Sequence, residues 1–250
     1  MSLQFSKYHG LGNDFLIVFG REVDAAQARR LCDRHFGVGA DGVIQVAPSE
    51  RADFAFVLYN ADGGLAEVSG NGLRCLGKFL YEKGHHLSRH LTIEAGGETK
   101  ALELHGEGMT VEVVRVDMGV PLDEGEIVLH GRTWRLVSLG NPHAVTFVED
   151  LEGAPVAELG PLVERDPTFP NRTNVEFARV EGDVVGVRFW ERGVGVTLSS
   201  GSGSCAAVAA AGLTRASVRT PGGELLVERN GRGHMFLSGP AAHVFDGTIP

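Results

Sequence analysis

"EVSGNGLRC" (67–75) and "LSSGSGSCA" (198–206) are two forms of one phrase: a serine, then glycine, a small polar residue and glycine, with a cysteine shortly after. The correspondence extends outward in both directions. "LGND" (11–14) has its counterpart in "LGNP" (139–142), and "VLYNADG" (57–63) in "VRFWERG" (187–193). Taken with Ser69-Gly70 and Ser200-Gly201, the offsets are 128, 130 and 131, in unbroken order. Ordered matches at a nearly constant offset imply an internal duplication. The Gly-, Pro- and acid-containing stretch "DMGVPLDEG" (117–125) suits a linker between the halves.

Each half reads as strand-rich with a buried helix. "DFLIVFG", "DFAFVLYN", "MTVEVVRVDMG", "HAVTFVED", "DVVGVRFW" and "HMFLSG" are β-branched or alternating runs bounded by turn residues. "DAAQARRLCDRHFG" opens with Asp24 as N-cap and Gln27 three residues on, which predicts a helix running to Gly37. "NGLRCLGKFLYEKG" puts Leu73, Leu76 and Leu80 on one helix face, and "SGSCAAVAAAGL" predicts a helix buried all round. The last two helices start directly after the repeated serines. A helix start carries unpaired N–H groups and partial positive charge, so it can hold a carboxylate, and flanking glycines let the anion approach the backbone. Two such starts on opposite walls of a cleft would grip one small molecule. The plain reading of Ser69 and Ser200 is that each is an N-cap.

Composition sets the bounds. The 250 residues, 43% hydrophobic and 22% charged, suit a folded globular chain of one large or two smaller domains. A formal net charge of −9 without a Lys/Arg cluster argues against nucleic acid or an anionic membrane as partner. No run of 18 apolar residues and no basic, apolar leader is present, and the chain is read as cytoplasmic. Cys32, Cys75 and Cys205 are odd in number and widely spaced, which indicates neither a disulfide framework nor a zinc site.

Three other signals carry less. Gly72-x4-Gly77-Lys78 resembles the front of a phosphate-binding loop, but Phe79 stands where magnesium needs Ser or Thr. His85, His86 and His90 lie in a polar loop without carboxylate or thiol partners, so no metal site is expected. Neither repeated serine sits in a Gly-x-Ser-x-Gly elbow.

"KYHGLGNDFLIV", "GADG", "YNADGGLAEVSGNGLRC", "LGNPHAV", "TNVEFARV", "WERGVGVTLSSGSGSCAA" and "LSGPAAHVFDG" together resemble the diaminopimelate epimerase family of pyridoxal-independent amino-acid racemases and epimerases. The resemblance spans the chain and implies an α+β fold of two pseudo-symmetric domains. Each would be a curved, largely antiparallel sheet wrapped around a central helix, with the active-site cleft between them. The implied halves are 1–116 plus 241–250, and 117–240. The implied reaction inverts an amino-acid α-carbon, LL- to meso-diaminopimelate, by two-base proton transfer without cofactor or metal; homodimers are common in the family.

The resemblance assigns catalytic positions to Ser69, Ser200, His143 and Glu191, and substrate contacts to Asn13, Asn60, Gly70, Asn71, Asn141, Asn174, Arg192, Gly201 and Ser202. Glu191 and Arg192 match the pair that meets the distal end of the amino acid. The family's acid/base groups are two cysteines, in "CGNG" and "CGTG"; here both are serine, and the glutamate of the family's "GVGET" is Val196. A hydroxyl keeps the hydrogen bonding of a thiol but scarcely ionises near neutrality, so turnover is expected to be weak or absent. A deliberate double Cys-to-Ser replacement accounts for the serines but not for Val196, whereas natural divergence accounts for all three. The alternatives are a non-catalytic amino-acid-binding protein, or a racemase or isomerase of another amino acid.

Overall fold

A computed structural model describes residues 2–66 and 68–250. Close contacts divide the chain into two units, Met1–Val116 with Gly239–Pro250, and Asp117–Ser238. The second return point lies two residues before the boundary read from the sequence.

The first unit runs β1 (Leu3–Gly10), β2 (Asn13–Phe19), α1 (Ala25–Cys32), β3 (Gly42–Ala47), β4 (Phe54–Asn60), β5 (Leu65–Ala66), α2 (Gly70–Glu82), β6 (His90–Ala95), β7 (Glu98–His105) and β8 (Val113–Gly119). The second runs β9 (Leu122–Leu129), β10 (Arg132–Ser138), β11 (Pro142–Phe147), α3 (Val156–Glu164), β12 (Asn174–Glu181), β13 (Val184–Glu191), β14 (Gly195–Thr197), α4 (Gly201–Ala210), β15 (Arg215–Thr220), β16 (Gly223–Arg229) and β17 (Met235–Gly239). A last strand, β18 (Ala242–Ile249), pairs antiparallel with β1.

The duplication is written in the pairing. In the first unit β1–β2 is antiparallel, β2–β3 parallel, β3–β4 and β4–β5 antiparallel, β4–β6 parallel, and β6–β7 and β7–β8 antiparallel. In the second, β10 to β17 repeat this sequence step for step, with β9 beside β10 where β18 lies beside β1. Register also refines the alignment of the halves. Leu58 faces Ala66 and Phe189 faces Thr197, so Asn60 corresponds to Glu191, an offset of 131. The sequence match of Gly63 with Gly193 is one residue out of step with the strands that carry them.

Helix α2 is buried along nearly its whole length, not on one face alone. A Cβ at Gly77 would meet Leu102 and Leu104 at 2.9 and 3.1 Å, so glycine lets β7 close over the helix. Helix α4, "GSGSCAAVAA", is likewise enclosed, and its small side chains let β10 to β13, β15 and β16 pack around it. Outer helices cover smaller cores: Leu16, Val18 and Val43 with Ala28 and Leu31 of α1, and Trp134, Val175 and Phe177 with Val156 and Val163 of α3.

Two local expectations change. The Asp24/Gln27 capping box is present, but α1 stops at Cys32 rather than Gly37, because the Asp33 carboxylate accepts the N–H groups of His35 and Phe36 and turns the chain. In the 85–90 loop His85 is stacked on Phe19 with centroids 3.9 Å apart. Among the described residues no helix is long and apolar enough to cross a membrane.

Candidate active site

Each unit presents the same local construction. Ser69 and Ser200 have extended backbones and cap α2 and α4, the Oγ atoms accepting the N–H of Gly72 at 3.1 Å and of Gly203 at 3.3 Å. That satisfies one donor of each first turn. The N–H groups of Gly70, Gly201 and Ser202 have no partner among the described residues. The N-cap reading and the anion-site reading are therefore compatible: the hydroxyl takes the third N–H, while those of Gly70, Gly201 and Ser202 stay open among the described residues.

Around α2, Asn71 Nδ2 donates to Asn13 Oδ1 at 3.1 Å, and Asn13 Nδ2 donates to Asp41 Oδ2 at 2.8 Å. Asp41 also accepts the Asp14 N–H, while Arg34 bridges Asp14 and Asp41 and Lys7 binds Asp14 at 2.9 Å. Burial works to raise the Asp14 carboxyl, yet hydrogen bonds from Arg34 and Lys7 outweigh it and hold it below the ordinary range. Asp41 goes the other way, raised by burial and by the Asp14 charge despite the Asn13 donor. Asn60 closes β4 at the position that Glu191 occupies in β13.

Around α4 the asparagine is turned over. Asn141 Nδ2 donates to Ser202 Oγ at 3.2 Å, and its Oδ1 lies 3.0 Å from His143 Nε2. His143 Nδ1 lies 2.7 Å from Glu176 Oε1, and neither side chain reaches solvent. In each unit, then, the asparagine of the "LGN" motif bonds to the second helical residue, but a carboxylate orients it in one unit and an imidazole in the other. Ser200 Oγ donates to Glu191 Oε2 at 2.9 Å. Asn174 Oδ1 accepts the Arg192 N–H, and Arg192 Nη1 donates to the Asn171 carbonyl. Val196 is exposed on β14.

The remaining thiols do not substitute for the serines. Cys75 and Cys205 are fully buried in α2 and α4, and burial pushes the Cys75 thiol up to about 12.

The family profile described as diaminopimelate epimerase matches residues 5–122 and 135–244. The diaminopimelate epimerase of Synechococcus elongatus is 42% identical over 286 aligned positions, covering 100% of this chain and 99% of its own. The chain belongs to the diaminopimelate epimerase family. The diaminopimelate epimerase of Pelotomaculum thermopropionicum is 41% identical, covering 99% of each chain. Among solved structures, a hydroxyproline epimerase from Agrobacterium vitis with bound trans-4-hydroxy-L-proline superimposes with a TM-score of 0.82 at 17% identity, covering 99% of this chain and 92% of its own. A Bacillus anthracis protein of the phenazine-biosynthesis PhzF family gives 0.77 at 16%, covering 100% and 99%. The α+β fold is thus common to these epimerases and the PhzF protein, and the curated relatives are isomerases.

Within the diaminopimelate epimerase framework, Asn13 joins Asn71 beside Ser69, Glu191 joins Ser200, Asn141 joins His143 and Ser202, and Asn174 holds the Arg192 N–H. Sequence reasoning missed Asp41 and Glu176, which orient Asn13 and His143. A signal existed for Glu176: in "TNVEF" it lies two residues from Asn174 on a strand, hence on the same face.

Proposed function

We propose that the chain is an amino-acid epimerase by descent that binds diaminopimelate or a closely related diamino dicarboxylic acid, with slow or absent inversion in its serine form. The observation that carries this reading is the pair of serine-capped helix starts, each with its "LGN" asparagine hydrogen-bonded to the second helical residue. Open N–H groups there suit the reacting carboxylate, and inversion of a carbon needs one acid/base group for each face.

Membership of the family and a 42% identical diaminopimelate epimerase support the substrate class. The serines set the limit on rate. A thiol ionises near pH 8.5, a hydroxyl far above it, so Ser69 and Ser200 are poor proton acceptors from an α-carbon. Ser200 has its proton committed to Glu191 and a lone pair committed to Gly203. This favours a second reading, a non-catalytic amino-acid-binding protein that keeps the pocket.

Calorimetric titration with LL- and meso-diaminopimelate, combined with NMR detection of α-proton exchange in D2O, tests both. Binding with slow exchange supports the first reading, and binding with none the second. No binding of any diamino dicarboxylic acid overturns both.

A further inference from the structure

The turn that carries Glu191 and Arg192 is held by an acid that lies outside every motif of the site. Glu164 closes α3 and is 1% exposed. Its Oε1 accepts the Gly193 N–H at 2.8 Å and the Arg172 Nη2, and its Oε2 accepts Trp190 Nε1 at 2.8 Å, with Arg165 Nε 3.9 Å away. One buried carboxylate thus grips residue 190 by its side chain and residue 193 by its backbone, on either side of Glu191-Arg192.

The same acid fixes the segment that faces Arg192. Arg172 is bound to its carboxylate and the Thr173 N–H to its carbonyl, at 3.3 Å, and the neighbouring Asn171 carbonyl receives Arg192 Nη1. Helix α3 is fitted to this turn sterically as well: a Cβ at Gly160 would lie 2.6 Å from the Trp190 side chain. The first unit holds its corresponding turn differently, with Arg29 of α1 donating to the Asp62 carbonyl through an exposed contact. A buried charge collecting three donors costs desolvation that simple turn stability does not require.

We infer that Glu164 is the positioning residue of the Glu191–Arg192 turn, setting where the Arg192 guanidinium stands and so the preference for a ligand with a charged distal group. The inference rests on the proposed amino-acid site and on the place of Arg192 at its distal end. Glutamine at 164 keeps the volume but offers one acceptor where two are used, and leaves Arg172 without its counter-charge.

The test compares the native chain, Glu164→Gln, Arg192→Ala and the double variant, each below its own unfolding temperature. Amide exchange by NMR reads the turn without any ligand. In Glu164→Gln, exchange at Gly193 should accelerate about tenfold or more, the effect of losing a hydrogen bond to a charged group, while β12 and α4 stay protected. Calorimetry with meso-diaminopimelate and with alanine, which lacks the distal group, reads specificity. Affinity for meso-diaminopimelate should fall about tenfold to a hundredfold with alanine unchanged, and Glu164→Gln should add less than about twofold on an Arg192→Ala background. Unchanged exchange at Gly193, or an equal loss for both ligands, overturns the inference. If the native chain binds neither ligand while Gly193 exchange accelerates as expected, the amino-acid site is refuted and the anchoring of the turn stands.

Discussion

Gly203→Ala probes the seat of α4 on the buried His143–Glu176 pair. The new Cβ would lie 2.7 Å from Glu176 Oε1 and 3.1 Å from the Phe189 ring. Glu176 has no room to yield, because its side chain is fully enclosed and Oε1 is already 2.7 Å from His143 Nδ1. Overpacking of this kind costs about 1–3 kcal/mol, and a lengthened charge-assisted hydrogen bond costs about 1.5–3 kcal/mol more. Alanine returns about 1 kcal/mol of helix propensity. The net loss is therefore about 1.5–5 kcal/mol, which at about 2–4 °C per kcal/mol lowers Tm by roughly 3–20 °C for a chain of this size. Gly72, the equivalent in α2, faces apolar side-chain ends of Phe56 and Ile44 at 3.1 and 3.3 Å, so there the penalty and the propensity gain nearly cancel. Gly231 has nothing within 4 Å and serves as a control. Urea and thermal unfolding of the three alanine variants should rank Gly203 far below the other two. A Gly203→Ala protein as stable as Gly72→Ala would refute the claim that α4 rests on a rigid buried pair.

Further outcomes follow from the same geometry. Ser69→Cys with Ser200→Cys should restore epimerisation of diaminopimelate in a coupled or NMR assay, whereas either change alone should not; an inactive double variant that revives on adding Val196→Glu would tie three positions together. Native protein should leave Cys32 and Cys75 unalkylated at pH 8, because burial pushes both thiols up to about 12, whereas a cysteine placed at the half-buried position 69 should add a reactive thiol. Asp246 is drawn down to about 2: burial opposes this, but hydrogen bonds from Lys83, Ser6 and His243 outweigh it. Its contribution is present above its unfolded value near 4 and is lost as pH falls through about 2, so Asp246→Asn should flatten acid unfolding across that interval, by under about 1 kcal/mol since the group is half-exposed.

The duplication was legible because glycine-flanked helix starts tolerate little substitution, so the two serine motifs stay alike while the strands between them drift. Strand runs such as "DFAFVLYN" and "DVVGVRFW" announced themselves by β-branched and aromatic content. Helix α3 did not, since "VAELGPLVE" carries Gly160 and Pro161, which argue against a helix locally; the close approach of Trp190 is a tertiary reason that sequence cannot display. Asp41 and Glu164 stayed hidden for a related reason, whereas the spacing of Glu176 from Asn174 could have been read. An acid in a charged or alternating stretch reads as solvated, and only the fold shows that donors converge on it.

Strand β18 fixes the order in which the chain can finish folding during synthesis. Residues 117–238 form a continuous stretch and can close as soon as they are made. The first unit cannot, although most of it emerges earlier, because Leu3 to His9 must wait for Ile249 to Ala242. Until then β1 carries an unpaired edge, and the Phe5 ring lacks Gly247, which in the finished protein leaves no room for a Cβ between the two. The half made first is completed last, and its open edge is the place where a newly made chain is most exposed to pairing with a neighbour.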